Sequence, residues 1–342
     1  MMKVYPFTAI VGQEKMKLAL ILNAINPKIG GVLIRGEKGT AKSTAVRALA
    51  DLLPEIEVIE GCPFNCDPKE PCDLCKERDN IRVIKRKMKV VNLPIGATED
   101  RVVGTLDIEK AIKEGIKALE PGILAEANRN ILYIDEVNLL DDHIIDLLLD
   151  AAASGWNIIE REGIKIKHPS RFILVGTMNP EEGELRPQIL DRFGLMVEVE
   201  GLKDPKQRVE VVKRVEEFSK DPEGFYKKFE KEQEKLRERI LKARKILDKV
   251  EIDEDLLELI SKTCVELGIF TNRADITVVR TAKAIAAYDN REKVNLEDVK
   301  LAMELALPHR MRRKPFEPPR IDKNRLEEII NKNLDGLKKN IT

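Results

Sequence analysis

Gly36-Glu37-Lys38-Gly39-Thr40-Ala41-Lys42-Ser43 follows the apolar run Gly31-Val32-Leu33-Ile34 and precedes Thr44-Ala45-Val46-Arg47-Ala48-Leu49-Ala50. A β-rich segment, a glycine-rich turn and a helix-forming run, in that order, are what a phosphate-binding loop requires. Backbone N–H groups of the turn and of the helix start converge there, so main-chain dipoles hold a polyphosphate. Lys42 is expected to reach the β- and γ-phosphates and Ser43 to ligate Mg²⁺. Gly36, Gly39, Thr40, Ala41 and Thr44 complete the nucleotide-binding stretch. The pattern G-x-x-x-x-G-K-[ST] asks for glycine at 41; alanine stands there and is expected in right-handed backbone angles. The stretch implies a bound nucleotide.

Downstream, Asn130-Ile131-Leu132-Tyr133-Ile134-Asp135-Glu136 is an apolar run ending in two acids, and Phe172-Ile173-Leu174-Val175-Gly176-Thr177 is another apolar run. Fully apolar strands belong to parallel sheets covered on both faces. Acids at a strand end are costly unless used, and strand ends are where such sheets bind ligands. Asp135 is therefore expected to hold Mg²⁺ through water, and Glu136 to polarise the attacking water. Thr177-Met178-Asn179-Pro180 closes the next strand, where a polar side chain can reach the γ-phosphate. Trp156–Glu160 and Ile164–Lys167 flank Arg161-Glu162-Gly163 and read as a β-hairpin.

Strand signals stop after Gly201, and residues 205–310 read as helical, with a charge-laced segment from Phe225 to Lys249 expected as a long exposed helix. The fold class is α/β: a parallel-sheet nucleotide domain with β-hairpin insertions over 1–200, an all-helical lid over 201–315, and a tail over 316–342. That tail carries Leu326, Ile329, Ile330 and Leu334 at helical spacing. The chain has 342 residues, 43% of them hydrophobic, enough for a sizeable core. Lys+Arg and Asp+Glu number 60 each, so no net charge points to nucleic acid or to a membrane. No signal peptide and no apolar run of about 20 residues is seen, which sets the expectation of a cytoplasmic protein.

Cys62, Cys66, Cys72 and Cys75 fall in a Pro- and Asp-rich stretch, 61–80, without apolar period, expected as a loop or small inserted element. Three readings stand for the quartet: a metal site holding Zn²⁺ or an iron–sulfur cluster, redox-active disulfides, or unligated thiols. Cys264, in an apolar helix, reads as a buried structural residue. His143, His168 and His309 are scattered; His143 and His309 read as surface or helix-end residues, and His309–Lys314 as a solvated helix end. Arg186, Arg192 and Arg273 are candidate stabilisers of phosphate charge.

The order phosphate loop, Ile131–Glu136, hairpin, Gly176-Thr177-Met178-Asn179, Leu190-Asp191-Arg192-Phe193 and helical lid resembles the AAA+ ATPases with a helix-2 insert and a pre-sensor hairpin. Within that clade, Phe7–Gln13, Pro94–Gly104, Pro121–Ala127 and Asn179–Gln188 are similar to the ATPase (I) subunit of magnesium chelatase. The resemblance spans about residues 5 to 315. It implies Lys42 and Ser43 as the Walker A pair, Asp135 and Glu136 as Walker B, and Asn179 as sensor 1. It implies Arg192 as an arginine finger offered to a neighbouring subunit, Arg186 in the same role, and Arg273 as sensor 2. It implies ATP and Mg²⁺, a hexameric homo-oligomeric ring, an adaptor subunit with a von Willebrand-type domain, and a separate large subunit where metal enters a tetrapyrrole. The metal served would be magnesium or, in an organism without chlorophyll, cobalt or nickel. Ala41 departs from that subunit's usual glycine. A MoxR-like remodelling chaperone and an MCM-like nucleic-acid motor are the competing readings; the mixed-charge hairpin tip Glu160–Gly163 argues against the second.

Overall fold

The computed structural model describes residues 3–311 and 323–340. Its strands are β1 (Val32–Gly36), β2 (Ile56–Ile59), β3 (Val83–Arg86), β4 (Val90–Asn92), β5 (Gly104–Leu106) and β6 (Leu119–Pro121). They continue as β7 (Ile131–Ile134), β8 (Trp156–Arg161), β9 (Ile164–Pro169), β10 (Ile173–Met178) and β11 (Leu195–Val199). Two compact units form, and they interleave along the chain. The first contains residues 1–13, 36–184 and 199–237, the second 14–35, 185–198 and 238–342. The expected boundaries near 200 and 315 are not the limits of these units.

In the first unit β7 runs parallel to β10 on one side and β4 on the other, with Ile131 beside both Ile173 and Val90. Every residue of β7 and β10 is buried, as their unbroken apolar sequences require. The phosphate-loop helix, Lys42–Leu52, buries Ala45, Val46, Ala48, Leu49 and Leu52 on one face. The helix Asp142–Ser154 starts at Asp141, whose carboxylate accepts from the His143 N–H, and stops at Gly155 with φ 75°. The expected hairpin is present as β8–β9, paired from Trp156↔Pro169 to Arg161↔Ile164, with Glu162 and Gly163 turning at positive φ. Its alternating burial turns Asn157 and Ile159 inward.

The stretch expected as an insertion is the connection between β2 and β3, an antiparallel pair absent from the sequence reading, and it contains a short helix at Asp73–Lys76. The helix Pro205–Lys220, expected in the lid, belongs to the first unit. There Tyr5 packs on Phe218 and Phe225, with ring centroids 5.2 and 5.5 Å apart.

In the second unit β11 neighbours β1, with the Leu195 N–H on the Gly31 carbonyl at 3.0 Å. The remaining elements are helical: Glu14–Ile25, Glu254–Glu266, Asn272–Tyr288 and Leu296–Ala306, the last begun by a capping box between Asn295 and Asp298. The long charged helix, Pro222–Ile246, begins in the first unit and passes into the second after Arg237, and it is not exposed all round. Phe225, Gln233, Ile240 and Ala243 are buried, a spacing that puts them on one helical face. The tail helix Lys323–Asn340 buries Leu326 and Ile330, and the Asn333 amide donates to the Thr263 hydroxyl at 3.3 Å. Cys264 is buried, as expected. Among the described residues no helix is long and apolar enough to cross a membrane.

Candidate nucleotide site

The phosphate loop leaves β1 at Gly36, where a Cβ would stand 2.2 Å from the Val199 carbonyl oxygen, so only glycine fits. Gly39 has φ 81° in open space, again a glycine conformation. Ala41 does not adopt the expected right-handed angles. It sits at φ 63°, ψ 19°, in the left-handed region, directly before the helix and without a side-chain cap. An L-residue there costs about 1–2 kcal/mol, strain of the kind that binding loops retain. The Lys42 ammonium folds back on the loop, donating to the carbonyls of Gly36 at 2.5 Å and Glu37 at 2.9 Å. Burial pulls its pKa down, opposed by the Asp135 and Glu136 carboxylates nearby. Ser43, one residue into the helix, is exposed.

Beyond β7, the Thr177 hydroxyl joins the two acids. It donates to the Asp135 Oδ1 at 2.7 Å and accepts the Glu136 N–H at 3.1 Å. The Tyr133 hydroxyl also donates to Asp135 Oδ1, at 3.1 Å, which leaves Oδ2 outside these two bonds. Glu136 itself holds φ 56°, a second strained non-glycine residue at the site. Its carboxylate is bridged by Lys38, whose Nζ lies 3.1 Å from Glu136 Oε1 and 2.6 Å from Glu182 Oε1. These contacts raise the Lys38 pKa, and Lys38 in turn lowers that of Glu182. Asn179 is buried, and its side-chain oxygen accepts from the Glu181 N–H at 3.2 Å, capping the turn that carries Glu182.

Beside the loop opens a mainly apolar cavity of 660 Å³, lined by Ile10, Val11, Gly39, Thr40, Leu202, Val212 and Val215 among others. It has the size and lining of a small-molecule pocket and adjoins the loop's own residues, as a nucleobase site must.

The candidate arginines lie in the second unit. Arg273 pairs with Asp191 at 2.8 Å, and Thr271 donates to the same carboxylate at 3.2 Å. Arg192 is half-buried and Arg186 exposed. The expectation for the basic run is corrected at its first two residues. Arg310 has no exposed side-chain surface; it donates to the carbonyls of Phe193, Gly194 and Ala306 and lies 3.3 Å from Asp191. His309 is buried, with Nε2 donating to the Phe193 carbonyl at 2.8 Å. Arg312, Arg313 and Lys314 lie outside the described residues. His143 is an exposed residue paired with Glu99 at 3.0 Å, as expected.

The family model for "Magnesium chelatase, subunit ChlI" matches residues 108–188, and that for the AAA lid domain matches 257–330. The magnesium-chelatase subunit ChlI homolog of Methanocaldococcus jannaschii is 82% identical over 97% of this chain and 92% of its own. ChlI of Mesostigma viride is 56% identical over 92% of this chain and 89% of its own. The chain belongs to the magnesium-chelatase ChlI family. A cryo-EM-based structure of the complex between magnesium-chelatase subunits BchI and BchD includes a chain 49% identical, with a TM-score of 0.55, covering 96% of this chain and 99% of its own. A Cytophaga hutchinsonii protein, 20% identical with a TM-score of 0.63 over 95% of this chain and 91% of its own, supports the fold alone. This ChlI-family chain is an AAA+ ATPase subunit, with the ATP and Mg²⁺ that such an enzyme uses.

In this ChlI-family chain the structure therefore gathers Lys42, Asp135, Glu136, Thr177 and Asn179 in one unit, and Arg186, Arg192 and Arg273 in the other. Sequence reading missed Lys38, Glu182, Asp191 and Arg310. A second lysine inside the phosphate loop was the only signal for the first; Glu182 and Asp191 stand in the stretches Asn179–Gln188 and Leu190–Phe193 without a role assigned to them, and Arg310 stands in a run that reads as a solvated helix end. The cysteine quartet lies in the first unit, with Cys62, Cys66 and Cys75 buried and all four unbridged.

Proposed function

We propose that this chain hydrolyses ATP as the motor of a magnesium-type chelatase, in a ring whose sites are shared between neighbours. The observation that carries the reading is the Thr177 hydroxyl, which fixes the Asp135 carboxylate and the Glu136 backbone together beside Lys42. Lys42 would exchange its loop carbonyls for the β- and γ-phosphates. Ser43 and Asp135 form a hard oxygen donor set that suits Mg²⁺, which supplies charge neutralisation on the phosphates. Glu136 would orient and deprotonate the attacking water. Asn179 holds the turn bearing Glu182, and through Glu182 and Lys38 influences where Glu136 points. Ile10, Val11 and Leu202 would sandwich the base.

In this reading Arg192, with Arg186, serves the neighbouring copy's ATP, and Arg273 is the sensor-2 residue of the lid. The lid and tail divisions at 200 and 315 are kept as functional modules, and the ring works in the cytoplasm. By analogy with the BchI–BchD complex, it acts on an adaptor subunit with a von Willebrand-type domain, and through that on a large subunit that loads the tetrapyrrole. The nucleic-acid alternative is disfavoured because Arg161, the basic residue of the hairpin tip, is paired with Asp100 at 2.5 Å.

The test is ATP turnover per chain against protein concentration, with particle size followed by light scattering, with and without ATP·Mg²⁺. A steep rise in turnover as rings assemble is expected. A monomer of equal activity overturns the shared-site reading. Mixing Arg192→Ala with Lys42→Ala chains should restore part of the activity each lacks, because an intact site can then form across one interface.

A further inference from the structure

The β2–β3 connection has little apolar material of its own. Within 61–80 the only fully buried large side chain is Phe64; apart from the half-buried Leu74 and the cysteines, the stretch is mostly Pro and polar or charged residues. Such a loop needs something besides a hydrophobic core to hold a fixed shape. Its buried interior is sulfur.

The ligand atoms of Cys62, Cys72 and Cys75 all lie within 4.8 Å of one another, and Cys62 Sγ is 3.8 Å from Cys72 Sγ. Four thiolate sulfurs at about 2.3 Å from one ion, at tetrahedral angles, stand about 3.8 Å apart. A disulfide needs about 2.05 Å, and three mutually close sulfurs do not sort into pairs. An iron–sulfur cluster distributes its cysteines over several irons and separates their sulfurs by the inorganic core between them. The spacing here is that of a single ion. Cys66 is 1% exposed and its thiol interacts with that of Cys62; its sulfur lies outside the mutually close set of three and is the neighbouring thiol that can complete a four-sulfur shell.

The backbone is arranged around these sulfurs. The N–H groups of Phe64 and Cys66 point at Cys62 sulfur, and that of Cys72 at Cys66 sulfur. Asn65 turns at φ 48° between the first two ligands. N–H groups directed at thiolates support their charge and fix their orientation.

We propose that Cys62, Cys66, Cys72 and Cys75 hold one tetrahedral zinc ion, which fixes the β2–β3 connection against the rest of the first unit. The fixed loop presents Phe64, stacked on His168 with centroids 4.7 Å apart and planes at 12°. His168 Nε2 accepts from the Asn157 amide at 2.9 Å, and that amide also donates to the Val103 carbonyl at 2.8 Å. The Asn128 amide donates to the Phe64 carbonyl at 2.6 Å, and Arg129 pairs with Asp67 at 3.3 Å. The ion thus sets the seat of the β8–β9 hairpin through one aromatic stack. Binding the ion releases thiol protons to solvent and changes no oxidation state.

The experiment uses the full chain purified without added metal, analysed for zinc, iron and acid-labile sulfide, then stripped and titrated with Co²⁺. About one zinc per chain is expected, with a stoichiometric Co²⁺ spectrum of tetrahedral thiolate type. Cys72→Ser/Cys75→Ser should lose both, while Cys264→Ser keeps both. Stripping should make four thiols reactive toward a disulfide reagent. Several irons with labile sulfide per chain, disulfides among the four cysteines by mass, or no Co²⁺ spectrum from the stripped wild-type chain would each overturn the proposal. None of these readouts depends on ATP hydrolysis or ring assembly.

Discussion

The clusters around Glu136 and Asp191 are built from the same parts, carboxylates bridged by basic side chains, yet they are put to opposite uses. Lys38 joins Glu136 to Glu182 with its own side chain 66% exposed. Pairs so open to water are weak and exchange readily when a more highly charged partner arrives. Arg310, with 0% side-chain exposure, meets the Asp191 carboxylate and four backbone carbonyls. Burial lowers its pKa to about 10, which still leaves it charged at neutral pH. A buried charge cannot be unpaired cheaply, so this cluster holds structure. Burial, more than residue type, separates a group available to a ligand from one committed to the fold.

The comparison can be broken most directly at Glu136. Glu136→Gln should keep ATP binding and lower turnover by about 10²–10⁴-fold, the usual worth of a general base, measured by single-turnover hydrolysis. Arg310→Met should leave Asp191 partly unpaired and destabilise the second unit by about 3–5 kcal/mol, read by denaturant unfolding. If it costs less than surface substitutions do, the contrast fails. Lys38→Met should change the ATPase kcat/KM by no more than about fivefold, whereas Lys42→Met abolishes nucleotide binding. Ala41→Gly should stabilise the nucleotide-free protein by about 0.5–1 kcal/mol, the left-handed strain less glycine's larger unfolded-state entropy.

The smallest effect concerns pH. Burial, then the Arg310 cation, pushes the His309 pKa well below its ordinary value. Between that lowered value and about 6.5 the unfolded chain binds the extra proton. The stability that neutral His309 contributes is therefore complete above about pH 6.5 and is lost as pH falls toward the folded value. His309→Gln should flatten that slope in unfolding titrations, leaving the parallel contribution of His168, which burial also lowers.

What was legible in sequence follows from how local each feature is. The phosphate loop, the β7 and β10 runs and the hairpin declare themselves within a few residues, by periodicity and turn chemistry. β2 and β3 do not, since Ile56-Glu57-Val58-Ile59 and Val83-Ile84-Lys85-Arg86 are short and half-exposed. Ala41 was misread because residue type gave no hint that the loop would force a left-handed angle. Arg310 and His309 were misread because a run of basic residues resembles a solvated end; only tertiary packing supplies the carbonyls of Phe193 and Gly194 that draw them inside. The cysteines were visible as a set, but their separation, which distinguishes one ion from a cluster, is a property of the folded loop.

The interleaving of the two units limits how this protein can be divided. The backbone passes from one to the other after residues 13, 35, 184, 198 and 237, so no single cut liberates either. A fragment starting at Glu238 would carry Arg310 and Arg273 but neither Asp191 nor the Phe193 and Gly194 carbonyls. Module exchange between relatives would have to move three segments together. Insertions, by contrast, can be hung on a connection such as 60–82 without touching a crossing point.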